Sequence, residues 1–247
     1  MSESQSLYSE DSKDTAPKTS LWEDFIDIFT SPSDVFRRRQ NSGFGTQLVI
    51  LTVLFAILII GTKALVIPAL DADLARQGAK MMHTHPEITA DMLQKQQSIG
   101  EKFGFIFVII LLPIMSMLTG LVLWLVGKMF DSKATGTQAL VISTYAFFPK
   151  LLALVAGGLI AYFSNPDRLN GMTRLSVGLG AFLDPDKISP VLLALLARVD
   201  VFTIWETVLI AIGLQVIGKV PKAQSYMAGV LVWLIGALPG VLPALRG

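Results

Sequence analysis

Cysteine is absent from the 247 residues, and histidine occurs twice. The first absence excludes disulfides, thiolate metal sites and cysteine nucleophiles, and leaves the redox compartment unmarked. The second leaves little for metal or acid–base chemistry. Charge is scarce as well: 16 % of residues are Asp, Glu, Lys or Arg, against about 25 % in an ordinary soluble domain. With a net charge of +1 and no basic patch interleaved with aromatics, there is no electrostatic case for nucleic acid. Apolar residues take the place of charge, at 52 % of the chain. This is the composition of a membrane protein.

The N-terminal stretch MSESQSLYSEDSKDTAPKTS is polar and acidic. It lacks the basic and apolar regions of a cleavable signal peptide, so the first apolar span is expected to stay in the mature protein. Residues 1–18 are expected to form a disordered polar tail.

A bilayer core about 30 Å thick requires about 20 apolar helical residues. Residues 103–127 and 223–245 are uncharged throughout; 44–62 is uncharged, with the apolar pattern resuming after Lys63 as far as Leu70. Residues 139–163 are apolar apart from Lys150, and 201–218 apart from Glu206. The expected architecture is therefore an all-α, polytopic helix bundle in residues 43–247, with five transmembrane spans at about 46–70, 103–127, 139–163, 200–218 and 225–245. The short run PVLLALLA at 190–197 reads as an interfacial or re-entrant helix, with Asp200 as the N-cap of the fourth span; merging the two into one long span is the competing reading. Arg37, Arg38, Arg39, Lys128, Lys133, Lys219 and Lys222 flank the spans on one side, which implies a cytoplasmic N-terminus and an outside C-terminus.

Ahead of the first span, residues 19–42 read as a cytoplasmic amphipathic helical segment. Ser20 with Glu23 forms a capping box, and Trp22, Phe25, Ile26 and Phe29 share a helical face. Ser31-Pro32 restarts a helix as N-cap and first residue. The opposite face carries Glu23, Asp24 and Asp27, which anionic lipid would repel. Two uses remain open: packing under the bundle, or docking a protein partner.

Motifs for chemistry are few. Gly213-Leu-Gln-Val-Ile-Gly218-Lys219 has the spacing of a phosphate-binding loop but continues with Val220, where the motif needs Ser or Thr, and it closes a helix instead of opening one. It reads as a helix end with a cation at its negative pole. His83-Thr-His85 with Glu87 lacks the i, i+4 spacing of helical metal ligands; Pro86 suits the start of the next helix, which makes His85 a cap or loop residue. No nucleophile motif is present, so no enzyme activity, cofactor or metal is assigned. Gly157, Gly158 and Ala161, with Gly236 and Gly240, let backbones approach in lipid, either within the bundle or between two copies. Pro113, Pro149, Pro239 and Pro243 are expected to kink or break the spans.

A cation at the bilayer centre costs about 2.5–3.5 kcal/mol on insertion scales, so Lys150 needs a partner or a wet cavity. Counting outward from Gln138 at ~1.5 Å per residue places Lys150 roughly 12 Å below the outer edge of the core, and counting inward from Asp200 places Glu206 roughly 9 Å below it. The two are expected to pair, with Asp200, Arg198 and Lys63 nearer the outer surface. Exchanging the two charges should then preserve folding while Lys150→Leu destabilises. Such a cluster either fixes which helices meet or binds an ion or polar headgroup.

Three stretches resemble the Ypt-interacting protein (Yip) domain family over residues of about 25–236: SPSDVFRRR before the first span, TYAFFPKLLALVAGG in the third, and LLALLARVDVFTIWETVLIAIGLQVI entering the fourth. The last carries Asp200 and Trp205. Eukaryotic members work in vesicle traffic with small GTPases, but their acidic-aromatic signature near the first spans is missing here. The chain is more similar to a bacterial member, some of which resemble accessory subunits of ABC exporters. The resemblance implies a non-enzymatic membrane adaptor; together with the residues it gives an expected inner-membrane adaptor or assembly partner for a membrane complex, with self-association left open and working surfaces expected at Trp22, Phe25, Ile26 and Phe29 and at the Lys150, Glu206, Asp200, Arg198, Lys63 cluster. A small transporter or lipid-handling protein using that cluster is the alternative.

Overall fold

The computed structural model describes residues 20–165, 169 and 171–245, with backbone only for residues 96, 97, 101 and 102. The tail expected at 1–18 lies outside them. All helices and turns among the described residues follow one another without an intervening strand: α1 (Leu21–Thr30), α2 (Pro32–Arg39), α3 (Gly45–Thr84), α4 (Ala90–Met129), α5 (Gly136–Ala146), α6 (Pro149–Phe163), α7 (Pro190–Ala197), α8 (Val201–Val216), α9 (Lys222–Ile235) and α10 (Leu238–Ala244). Two 3-10 turns, Met172–Leu175 and Leu179–Phe182, lie between α6 and α7.

The N-terminal helices start as their caps dictate. Glu23 N donates to Ser20 Oγ (3.3 Å) and Ser20 N to Glu23 Oε2 (3.1 Å), the reciprocal capping box. Ser31 and Pro32 open α2, although the Ser31 side chain makes no cap hydrogen bond. The two helices form a hairpin.

α3 does not stop near residue 70. It runs for 40 residues, about 60 Å at ~1.5 Å per residue and twice the thickness of a bilayer core. The charges after Leu70 end the apolar run, yet the Ala, Leu, Arg, Gln, Lys and Met residues among them are good helix formers. His85 closes this helix as its C-cap. α4 opens only at Ala90, where the Thr89 hydroxyl accepts from Met92 N (3.3 Å), so Pro86 is not a helix start. Within the apolar part of α3, Leu48, Leu51, Phe55 and Ile59 are buried while Val49, Val53, Ile57 and Ile60 are exposed. Both stripes are apolar, as a helix facing protein on one side and lipid on the other requires.

Among the described residues four helical stretches are long and apolar enough to cross a membrane: Gly45–Thr84, Phe103–Met129, Gly136–Phe163 and Lys222–Ala244. The protein is a multi-pass membrane protein. Val201–Val216 has 16 residues, about 24 Å, and is too short to be a full span by itself. It occupies the place of the expected fourth span at 200–218, which it falls short of by itself.

Gly136–Phe163 is the most buried of the four and contains the expected break. Pro149 has no N–H and crowds the carbonyl four residues back. The chain responds by tightening: Phe148 N donates to Tyr145 O (3.2 Å) and Lys150 N to Phe147 O (3.0 Å). Pro113, by contrast, lies inside α4 without dividing it. α8 packs along α9 and α7 along α10. Tyr145, Phe148, Phe36, Ile28 and Leu51 are fully buried, placing the core between the α1–α2 hairpin, α3, α5 and α8.

Close helix approach is glycine-dependent, as expected for association in lipid. A Cβ on Gly158 would lie 2.7 Å from Thr62 Cγ2, so α6 meets α3 there with no room for a side chain. Gly218 also serves by size. It is Lys219 that takes the left-handed conformation (φ 56°) at the end of α8, while a Cβ on Gly218 would sit 2.7 Å from Leu214 O. The GLQVIGK motif is thus a helix terminus.

Candidate functional site

Lys150 is the second residue of α6, immediately after the proline break. Its Nζ lies 3.1 Å from Glu206 Oε2 of α8 and donates to Thr203 Oγ1 at 2.7 Å. The Thr203 hydroxyl donates onward to Asp200 Oδ2. The other Asp200 oxygen accepts from Phe202 N (2.9 Å) and Thr203 N (3.0 Å), capping α8. Asp200 therefore does two jobs with its two oxygens: it satisfies the free N–H groups that open a helix and ends a relay leading from the cation. Thr203 was not singled out from sequence. Its signal was the Asp-x-x-Thr spacing at a helix start, which puts an N-cap carboxylate beside a hydroxyl one turn on.

Arg198, the C-cap of α7, lies within electrostatic reach of Glu206 and Asp200 but forms no direct ion pair with either. Its guanidinium carbon lies 5.8 Å from the centroid of the Trp233 ring, and Nη2 makes a long contact of 3.4 Å to Trp233 O. Its Nε is buried without a partner. That carbonyl is available because the chain breaks here: Ala237 N donates to Leu234 O (3.0 Å) and so leaves Trp233 O without its helical partner. Arg198, Thr203 and Glu206 line a groove of about 370 Å³ whose other walls come from α4, α9 and α10, including Leu118, Trp233 and Leu242. Lys63 is not part of the group. Its Nζ lies 4.6 Å above the Phe105 ring, on the side of the bundle where α3 meets α4.

The second candidate surface is rearranged more strongly. The sequence placed Trp22, Phe25, Ile26 and Phe29 on one helical face, to pack under the bundle or to dock a partner, and the acidic residues opposite. In the structure Phe25 stacks on Phe148 (4.6 Å between centroids) and Phe29 meets Trp205 edge-on (5.2 Å). Both are half-buried, while Trp22 and Ile26 remain 65 % and 69 % exposed. The apolar face is split because the inward arc is centred on Asp24 and Ile28, both fully buried.

A buried carboxylate needs charge and hydrogen bonds around it. Asp24 Oδ1 accepts from Arg38 Nη2 (2.8 Å), and Oδ2 accepts from Arg39 Nε and from Tyr145 Oη (2.9 Å). Arg38 also reaches Asp27 (2.7 Å). Burial disfavours the Arg38 cation, but its hydrogen bonds and charge interactions with Asp27 and Asp24 outweigh that and leave its pKa above the usual value. Two of the three acids on the opposite face are thus paired within the hairpin. The sequence signal was present in Arg38 and Arg39, which had been counted only toward membrane orientation.

The structure thus sets in order a proline-started helix before the first span, a proline-broken central helix with Lys150, and a short apolar helix leading through Asp200 into the helix with Trp205. A family model described as the Yip1 domain matches residues 26–242. The chain belongs to the Yip domain family. Neither a curated protein nor a solved structure matches it. In this Yip domain, α1 from Ile26, the hairpin clamp partners Arg38, Arg39 and Tyr145, the Lys150 relay and Arg198 all lie within the matched residues, whereas Asp24 precedes them.

Proposed function

We propose that this Yip domain protein is a non-enzymatic adaptor or assembly partner of another membrane complex, an ABC exporter or similar transport assembly, in a bacterial inner membrane. The observation that carries this reading is the division of α1. Phe25 and Phe29 anchor it to the bundle while Asp24 is clamped by Arg38 and Arg39, which leaves Trp22 and Ile26 as an apolar edge exposed on a rigid support. Aromatic anchors held on rigid elements suit partner binding. The intramembrane charges are largely consumed by one another, which argues against their being reactants.

The chain crosses five times in this reading. Support comes from α7 and α8, which lie beside α10 and α9 and together form one discontinuous span over 190–216. The basic ends at Arg37, Arg38, Arg39, Lys128, Lys133, Lys219 and Lys222 favour a cytoplasmic N-terminus and an outside C-terminus.

Crosslinking in native membranes, followed by mass spectrometry of what co-purifies, tests the adaptor. A complex recovered in fixed ratio, and lost on Trp22→Ser with Ile26→Ser while the melting temperature holds, supports it. Recovery of the protein alone, or only with itself, sinks it. A small transporter or lipid-handling protein is the second reading, favoured by the broken helices around the Lys150 relay; solute-dependent uptake in proteoliposomes would establish it.

A further inference from the structure

We propose that the far end of the α3–α4 hairpin carries a binding site for a soft monovalent metal ion of the copper(I) class, held by the thioether sulfurs of Met81 and Met82 and by the imidazole of His85. This goes beyond the adaptor reading and does not depend on it.

The site stands clear of the apolar part of α3. Met81 lies about 16 Å past Leu70, where the apolar run ends, at ~1.5 Å per residue, and Asp71, Asp73, Arg76 and Lys80 intervene. Met81 and Met82 are each 40 % exposed there, among charged and polar neighbours.

Helical spacing brings the three side chains to one place. Two histidines at i, i+2 do not share a helical face, but Met81 and Met82 stand four and three positions before His85, and such pairs are neighbours on a helix surface, with Cβ atoms about 5–6 Å apart. The helix persists through this turn: His85 closes α3 as its C-cap, with its N–H donating to Met81 O at 2.8 Å. The unbranched, flexible methionine side chain then brings its sulfur to the ion without movement of the backbone.

His85 is held ready to be a ligand. Its Nδ1 lies 3.1 Å from Glu87 Oε1. An ionised carboxylate only accepts hydrogen bonds, so in the neutral imidazole Nδ1 carries the proton and Nε2 keeps its lone pair. Among the described residues Nε2 has no hydrogen-bond partner. A carboxylate on the far nitrogen is the usual support of a metal-ligating histidine, fixing its tautomer and raising its basicity.

The donor set selects the ion. Among the described residues no three His, Asp or Glu side chains gather where they could hold a metal, which leaves a zinc or calcium ion short of its customary ligands. Thioethers are soft donors that favour copper(I). Two sulfurs and one imidazole nitrogen surround such an ion, and the chain has no cysteine to compete for it.

The test uses the full chain in detergent, with isotope-labelled methionine methyl groups observed by NMR during titration with silver(I), a redox-inert stand-in for copper(I). Saturable shifts of the Met81 and Met82 methyls are expected, with those of Met129 and Met227, which are also exposed, unmoved. In competition with a chelator, Glu87→Ala should weaken silver(I) about tenfold while the methyl shifts remain. Met81→Leu with Met82→Leu, and separately His85→Ala, should each weaken it further. All these side chains are exposed, so the variants should keep the wild-type melting temperature. No saturable shift at Met81 and Met82, an equal shift of every exposed methionine, or wild-type affinity in either ligand variant overturns the proposal. Displacement of silver(I) by an equal concentration of zinc(II) would assign the site to a divalent ion on His83, His85 and Glu87, and would overturn it as well.

Discussion

Tyr145 Oη donates to Asp24 Oδ2 at 2.9 Å across 121 positions of sequence. That one contact ties the N-terminal hairpin to the central broken helix, at a carboxylate with no exposure to solvent.

Removal of this anchor should be costly. Asp24→Ala takes a buried carboxylate from Arg39, from Tyr145 and from Arg38, which keeps Asp27, and losing one partner of a buried ion pair costs about 3–5 kcal/mol. Tyr145→Phe deletes a single hydrogen bond to a charged acceptor and should cost about 1.5–3 kcal/mol. Unfolding in detergent checks the order: Asp24→Ala below Tyr145→Phe, and both below wild type. Equal stability of the three would show that the hairpin is held by its aromatic contacts alone.

For α1 the predicted effects divide the apolar face read from sequence. Phe25→Ala removes the stack on Phe148 and should lower the melting temperature measurably, as should Phe29→Ala at Trp205. Trp22→Ala, at an exposed site, should stay within about 0.5 kcal/mol. Any loss of a partner on changing Phe25 or Phe29 would therefore report a loosened hairpin, and only Trp22 and Ile26 test an interface directly.

At the Lys150 relay, Lys150→Leu leaves Glu206 unpaired and should destabilise by about 3–5 kcal/mol. Exchanging the two charges restores the pair but sets a glutamate against Thr203 and, through it, Asp200. The double exchange should recover only part of the loss, and adding Asp200→Asn should recover more while giving up some capping strength. A double exchange as stable as wild type would mean that the Thr203–Asp200 arm contributes little.

Gly158→Ala offers a test of helix approach. The new methyl would meet Thr62 Cγ2, and overpacking of this kind costs about 1–3 kcal/mol. Thr62→Ala should relieve it in the double variant. Additive losses in thermal unfolding would place the crowding elsewhere.

What the sequence by itself determined is the set of properties that depend on local chemistry. Apolar runs marked the membrane segments; Ser20 with Glu23, Asp200 and Pro149 marked helix starts and a break; and Lys150 with Glu206 could be matched in depth by counting residues along two helices. Tertiary structure decided the rest. Whether α3 ends at Leu70 or continues to Thr84 depends on helix propensity and on the segment after α6, whose Met172 N donates to Asp73 Oδ2 at 2.7 Å, and not on hydropathy. Which side of α1 faces inward was decided by the depth of the site between α5 and α8, which admits Asp24 and Ile28 because Arg38, Arg39 and Tyr145 arrive there from other elements. Arg198 could be placed near Asp200 by sequence, but which contacts the nearby carboxylates make follows from packing: Glu206 pairs directly with Lys150, and Asp200 caps α8 and accepts from Thr203, while both act on Arg198 from a greater distance. Charge pairing is a competition between groups distant in the chain, and only the folded arrangement determines which of them meet directly.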